Sequence, residues 1–204
     1  MIFPGYPNSC EDSYYSEVLE IYRENGFDRV PADIDWSKNI ADNLVKADKI
    51  IDGCSNEEEL HLFGHSWGAV CALWASRNHN EESQILASLS PEFEEDLQQY
   101  PDWGRKLGHV IRGIMDIFGR SGNLDSPPKL EKLKDKDLGE IKLLYGEKEY
   151  YGYYGIKYLG FGHYVSENRL EMISNSEEIV VGDAGHRFNE NYVDAIVEII
   201  SDLD

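Results

Sequence analysis

The stretch LHLFGHSWGAV, residues 60–70, constrains this chain more than any other. A short apolar run meets Gly64-His65-Ser66-Trp67-Gly68, and a run of small, helix-compatible residues follows. A serine side chain that must stand clear of its own backbone needs a sharp, strained turn, and Cβ atoms two positions to either side would collide there. Gly64 and Gly68 remove those atoms, and Ala69 adds little bulk. A helix starting at Trp67 aims backbone N–H groups at the same point, which favours developing negative charge. Ser66 is therefore the candidate nucleophile, in the G-x-S-x-G pattern of a nucleophile elbow and in the strand–turn–helix setting that the pattern requires. The bland alternative is a glycine-rich connection with an incidental serine.

The rest of the chain alternates strand and helix. MIF, residues 1–3, reads as a strand ending at Pro4-Gly5, and residues 12–25 as a helix with Val18, Leu19 and Ile21 on its apolar side and Gly26 as its stop. RVPADIDW, residues 29–36, reads as a strand that Pro31 confines to an edge or a bulge. Residues 37–52 fit a helix with Ile40, Leu44, Ala47 and Ile51 at helical spacing and Ser37 as its cap. Strand 59–64, helix 67–78, strands 85–89, 141–146 and 177–183, and a final helix over 188–202 complete the series. Strands separated by helices predict an α/β fold: a doubly wound, mostly parallel sheet of about six strands with helices on both faces. Right-handed crossovers then gather the strand C-terminal ends on one edge, where sites collect. At 204 residues the chain reads as a single domain.

Residues 92–128 break the rhythm with PDWG, GRSGN and SPP around one amphipathic run. Leu107, Ile111, Ile114, Met115 and Phe118 follow helical spacing there. An insertion of this size predicts a helical cap over the strand ends, with Leu107, Ile111, Met115 and Phe118 as candidate substrate-binding residues. The alternative is that the stripe packs on the sheet.

A serine hydroxyl needs a base to accept its proton. Of the six histidines, His65 adjoins the serine, where neighbours across such a turn point in different directions. His61 lies in the strand, His79 at a helix end, His109 in the expected cap and His163 in a tyrosine-rich segment. His186 directly follows the last strand in VVGDAGHRF, in a loop made by Gly182 and Gly185 at the same sheet edge as Ser66. It is the candidate base. The orienting carboxylate should arrive on the same edge, and IKLLYG delivers EKEYY to it. Glu149 is the favoured acid, with Glu147, Glu92 and Asp183 as competitors. The expected oxyanion donors are the N–H of Trp67 and that of Tyr6 in FPGYPNS, because Pro4 and Pro7 have none to offer.

GHSWGA resembles the nucleophile elbow of the α/β-hydrolase superfamily, GDAGH its histidine loop, LLYGEKE the strand bearing its acid, and FPGY its oxyanion loop with Pro4 in place of the usual histidine. The order serine, acid, histidine is also that of the superfamily. The resemblance spans nearly the whole chain and implies a small serine hydrolase whose first two strands are absent. Its acid is Glu where Asp is commoner. The implied chemistry is cleavage of an ester, thioester or amide through an acyl-enzyme on Ser66, with His186 shuttling the proton and Glu149 orienting it. Carboxylesterase- or thioesterase-like action on small, mostly apolar acyl substrates is the leading expectation. A peptidase of the same fold, which the SWG elbow keeps open, and a non-catalytic binding protein are the alternatives.

Composition excludes other classes. The net charge of −20 repels phosphate backbones and anionic lipid heads, so neither nucleic acid nor membrane is an expected partner. No signal peptide and no apolar stretch near the ~20 residues of a bilayer span is evident. Three cysteines, Cys10, Cys54 and Cys71, lack paired spacing and fit a reducing, cytoplasmic setting. No cofactor and no metal are expected, for there is no H-E-x-x-H and no Cys/His cluster, and the Asp33/Asp35 pair reads as local loop structure. The tyrosines at 150, 154 and 158 read as core or contact surface ahead of a pocket lining.

Overall fold

Successive side chains leave a strand toward opposite faces, so a strand apolar at every position must be covered on both. The computed structural model describes residues 1–5, 8–28, 30–54, 59–79, 83–89, 128–134, 136–150, 173 and 175–202. Among them run β1 (Ile2–Phe3), α1 (Ser13–Glu24), α2 (Ile40–Asp52), β2 (His61–His65), α3 (Trp67–Ser76), β3 (Ser83–Ala87), β4 (Glu140–Gly146), α4 (Glu147–Tyr150), β5 (Ser176–Val181) and α5 (Glu190–Ser201). The five strands are all parallel, in the order β1-β2-β3-β4-β5.

Alternation divides the core in two. Ile2, Phe63, Ile85 and Leu144 face α1 and α5, where they meet Tyr15, Val18, Tyr192 and Ile196. Phe3, Leu62, Leu86 and Leu143 face α2 and α3, where they meet Ile40, Leu44, Ala47, Val70 and Leu73. Helices therefore cover both faces, as expected. Cys71 is a buried core residue of α3, and burial pushes its thiol up to about 12.

The sixth expected strand, residues 29–36, contributes a single parallel bridge, Ile2↔Pro31, on the outer side of β1. Ile2 N–H donates to Val30 O (3.0 Å) and Ala32 N–H donates to Ile2 O (2.8 Å). The next rung would need an N–H from Pro4, which has none, so the ladder stops there. This edge bridge sets the topology. The chain leaves β1 outward through α1 and returns inward through α2 to β2, which puts the two helices on opposite faces. The direction of winding thus reverses between β1 and β2, the place in such sheets where a crevice opens at the strand C-termini. Ser66 follows β2 directly at that point.

Two local readings change. Asn39, not Ser37, caps α2: its Oδ1 accepts from Asp42 N–H at 2.8 Å. The Ser37 hydroxyl donates instead to Asp35 Oδ1 (2.6 Å), which also accepts Ser37 N–H, so Asp35 is spent on a local turn. No helix among the described residues is long and apolar enough to cross a membrane. Residues 92–127 of the expected cap lie outside the described residues, Leu107, Ile111, Ile114, Met115 and Phe118 included.

Leu62 is fully buried between β1 and β3, whereas Val45 on α2 is 53% exposed. Leu62→Ala is expected to lower the unfolding free energy by about 2–5 kcal/mol in urea titration, and Val45→Ala to change it by no more than about 0.5 kcal/mol.

Candidate active site

Ser66 occupies φ 53°, ψ −120°, a left-handed region that a side chain adopts only where its surroundings impose it. The imposing atoms are close. A Cβ on Gly64 would sit 2.5 Å from Ala69 Cα, and one on Gly68 would collide with the backbone of Phe3 and Pro4. Both glycines are therefore needed so that α3 can pack directly on the ends of β1 and β2. Ser66 N–H is held by Ala87 O of β3 at 2.9 Å. The strained serine is thus fixed from three strands and one helix.

The histidine loop reaches the same edge from β5. His186 Nε2 stands 3.0 Å from Ser66 Oγ, and His186 Nδ1 stands 2.9 Å from Glu149 Oε2. A carboxylate can only accept, so Nδ1 carries the proton and Nε2 presents its lone pair to the hydroxyl. An imidazole so held can take the serine proton, and the carboxylate stabilises the cation that forms. The His186 side chain is 54% exposed while that of Glu149 is 7% exposed, so the imidazole is open to solvent and the carboxylate is sealed from it.

Glu149 lies in α4, the single turn that follows β4. Its Oε1 accepts from Ser88 Oγ (2.6 Å) and from Gly146 N–H (3.3 Å), and the Tyr192 hydroxyl lies 3.3 Å away. Burial pushes this carboxyl up, but the hydrogen bond and charge of His186, then Ser88 and Gly146, outweigh burial and hold it below the usual carboxylate range. Glu149 is therefore ionised at neutral pH. Burial drives the Tyr192 hydroxyl the other way, well above its ordinary value, so it stays protonated beside the carboxylate. The competitors are otherwise engaged: Glu147 Oε2 accepts Asp183 N–H at 3.2 Å, and Asp183 is solvent-facing, 4.0 Å from Lys148. Glu92 lies outside the described residues.

The acid strand and the histidine loop are stitched together. Lys148 N–H donates to Ala184 O (2.9 Å), Lys148 Nζ to Asp183 O (2.8 Å), and a Cβ on Gly146 would sit 2.6 Å from Gly185 O. Of the expected oxyanion donors, Trp67 is the first residue of α3, its ring tilted against that of Trp36 at 6.3 Å. Tyr6 lies outside the described residues. The neighbouring Gly5 N–H donates to the Tyr15 hydroxyl at 3.1 Å.

The remaining described histidines are occupied elsewhere. His61 Nδ1 meets Ser83 Oγ at 2.7 Å, and His79 lies 3.2 Å from Asp52. His65 turns away from Ser66 toward Tyr15, and burial, then the neighbouring His186, pushes it down to about 4. His109 and His163 lie outside the described residues, as do Tyr154 and Tyr158, while Tyr150 packs at the core edge with its hydroxyl 3.3 Å from Glu178 Oε2. Ser88 and Tyr192 escaped the sequence reading. Ser88 sits at φ 48° just past β3, where periodicity places a further strand residue, and Tyr192 reads as one more apolar position of the last helix. No group of His, Cys, Asp and Glu among the described residues is arranged to hold a metal.

No protein-family model matches the sequence, and no curated protein matches it. Solved structures do match. Est1E from Butyrivibrio proteoclasticus is similar over 98% of this chain and 84% of its own, at 12% identity and a TM-score of 0.64. An esterase from Pyrococcus furiosus is similar over 98% and 80%, at 14% identity and a TM-score of 0.63. MGS-MChE2, an α/β-hydrolase enzyme from a lagoon-sediment metagenome of Mar Chica, Morocco, is similar over 98% and 87%, at 13% identity and a TM-score of 0.63.

A carboxyl held below its unfolded value contributes stability that is complete above that value and fades as pH falls through the folded one. The stability gap between the wild type and Glu149→Gln is therefore expected to narrow as pH falls below about pH 4.3, the ordinary glutamate value. Denaturant titrations across pH check this, and a gap that keeps its full size well below that pH contradicts the assignment of Glu149 as an ionised partner.

Proposed function

From a chain with the α/β-hydrolase fold, we propose a serine hydrolase that cleaves carboxylic ester or thioester bonds of small, mostly apolar acyl substrates through an acyl-enzyme. One observation carries the reading: the unbroken line from Ser66 Oγ to His186 Nε2 at 3.0 Å and from His186 Nδ1 to Glu149 Oε2 at 2.9 Å. Three groups from β2, β4 and β5 meet in the order that proton transfer needs.

In the proposed reaction Ser66 Oγ bonds to the acyl carbon as its proton passes to His186 Nε2. The tetrahedral adduct collapses, the bond to the leaving oxygen or sulfur breaks, and the leaving group takes the proton from Nε2. Water then gives a proton to Nε2 and attacks the acyl carbon. The bond to Ser66 Oγ breaks, the acid departs, and the serine recovers its proton. Glu149 keeps the imidazole in the Nδ1–H tautomer throughout. The negative oxygen of each adduct is assigned to the N–H of Trp67 and of Tyr6. Because Gly5 N–H is engaged by Tyr15, the next residue is the better donor in that loop. Leu107, Ile111, Met115 and Phe118 are assigned to the acyl side of the substrate. The charge of −20 disfavours polyanionic partners such as nucleic acid and acidic membranes, and suits a neutral acyl compound in a cytoplasmic setting.

A fluorophosphonate probe is expected to label the wild type and to fail on Ser66→Ala. His186→Ala is expected to slow hydrolysis of a short p-nitrophenyl ester by about 10⁴-fold or more. Faster turnover of aminoacyl anilides than of esters would transfer the reading to a peptidase. An unlabelled, folded wild type would leave a binding protein.

A further inference from the structure

His65 adjoins the nucleophile, is buried, and is not the base, yet both its ring nitrogens are used. Its Nε2 stands 2.9 Å from the backbone oxygen of His186, and its Nδ1 stands 2.6 Å from the Tyr15 hydroxyl. A carbonyl oxygen cannot donate, so the ring proton is on Nε2 and Nδ1 accepts from Tyr15. The Tyr15 oxygen in turn accepts Gly5 N–H at 3.1 Å, and Asn8 Nδ2 lies 3.4 Å away. Every proton in this line has one direction to go: from Gly5 N–H to Tyr15, from Tyr15 to His65, and from His65 to the carbonyl of His186.

The line joins the loop after β1 to the loop after β5, which share no strand contact. It is sealed by packing. Phe188, two residues past the base, is stacked between Tyr15 (5.1 Å, 8° between planes) and Tyr192 (5.4 Å, 21°), and lies 5.2 Å from the His65 ring. The Tyr192 hydroxyl lies 3.0 Å from the neighbouring carbonyl, Gly185 O, and gives its proton to Ser88 Oγ at 2.6 Å. Two successive carbonyls of the histidine loop thus lie against buried side chains: His186 O accepts from His65, and Gly185 O faces Tyr192 of α5. Gly5 completes the fit, since a Cβ there would collide with the His65 ring.

We propose that Tyr15 and His65 are positioning residues, a buried strut that sets the reach of the His186 imidazole to Ser66 and ties it to the loop bearing Tyr6. This rests on the serine hydrolase reading and adds residues to it. Neither side chain touches the reacting atoms, so their loss acts on the rate of acyl transfer and leaves substrate affinity alone. A misplacement on the order of 1 Å costs about 10²-fold in such a step.

The test uses the full chain with a short p-nitrophenyl ester, the fluorophosphonate probe and ¹⁵N-imidazole NMR. Tyr15→Phe keeps the ring on Phe188 and removes the hydroxyl. It is expected to lower kcat by about 10-fold with KM within about 2-fold, and to shift the His186 ring resonances. His65→Leu is expected to lose about 10²-fold in kcat, and His65→Gln, whose amide can still donate to the His186 carbonyl, to recover part of it. The wild-type spectrum should show His65 as the neutral Nε2–H tautomer. A probe-labelled wild type with Tyr15→Phe at wild-type kcat, or a His65 proton on Nδ1, overturns the strut alone. A wild type that the probe does not label overturns the hydrolase reading and the strut together.

Discussion

The backbone of Ser66 is the constraint on which the rest of the structure depends. A serine at φ 53° and ψ −120° carries a conformational cost on the order of 1–3 kcal/mol, which a protein tolerates only where its surroundings over-determine the geometry. Here they do. α3 is packed so tightly on the ends of β1 and β2 that no Cβ is possible at Gly64 or Gly68, and β3 holds the Ser66 amide. Relaxing the serine would require pulling the helix off the sheet, and with it the apolar layer of Val70 and Leu73. The core thus supplies the energy that keeps the hydroxyl raised.

The two histidines nearest that hydroxyl show how environment separates roles. His65 and His186 have ring centres 5.8 Å apart. His65 is sealed in the core, and burial pushes it down to about 4, so it stays neutral and works through its hydrogen bonds. His186 is half exposed and backed by a buried, ionised carboxylate, the arrangement that lets an imidazole take on charge when a proton arrives. The carboxylate is ionised despite burial because His186, Ser88 and Gly146 all direct donors at it.

Much of this was legible in the sequence, for physical reasons that differ from element to element. The elbow is a local steric problem, and Gly64 and Gly68 write its solution into adjacent residues. The strand–helix series is legible because the central strands β2, β3 and β4 carry apolar residues toward both faces, and α1, α2 and α5 are each apolar on one. His186 and Glu149 are legible as candidates because parallel strands deliver their C-termini to one edge, although direction does not separate Glu149 from Glu147, Glu92 or Asp183. The strand at 29–36 fails because its neighbour, not itself, ends the ladder: Pro4 lacks the amide that a second rung needs. Ser88, Tyr192 and Tyr15 were hidden because their roles depend on contacts 61, 43 and 50 positions away in sequence, to Glu149 and His65. A serine at a strand end and tyrosines on apolar helix faces carry no local sign of that.

The central claim is that Ser66 becomes covalently acylated during turnover. Rapid mixing of the protein with an ester that deacylates slowly, followed by acid quench and peptide mass mapping, tests it directly. The account predicts a burst of leaving group close to one equivalent of protein and an acyl adduct on the peptide containing Ser66. Linear release without a burst and without an adduct, from protein that turns over the ester, would contradict it.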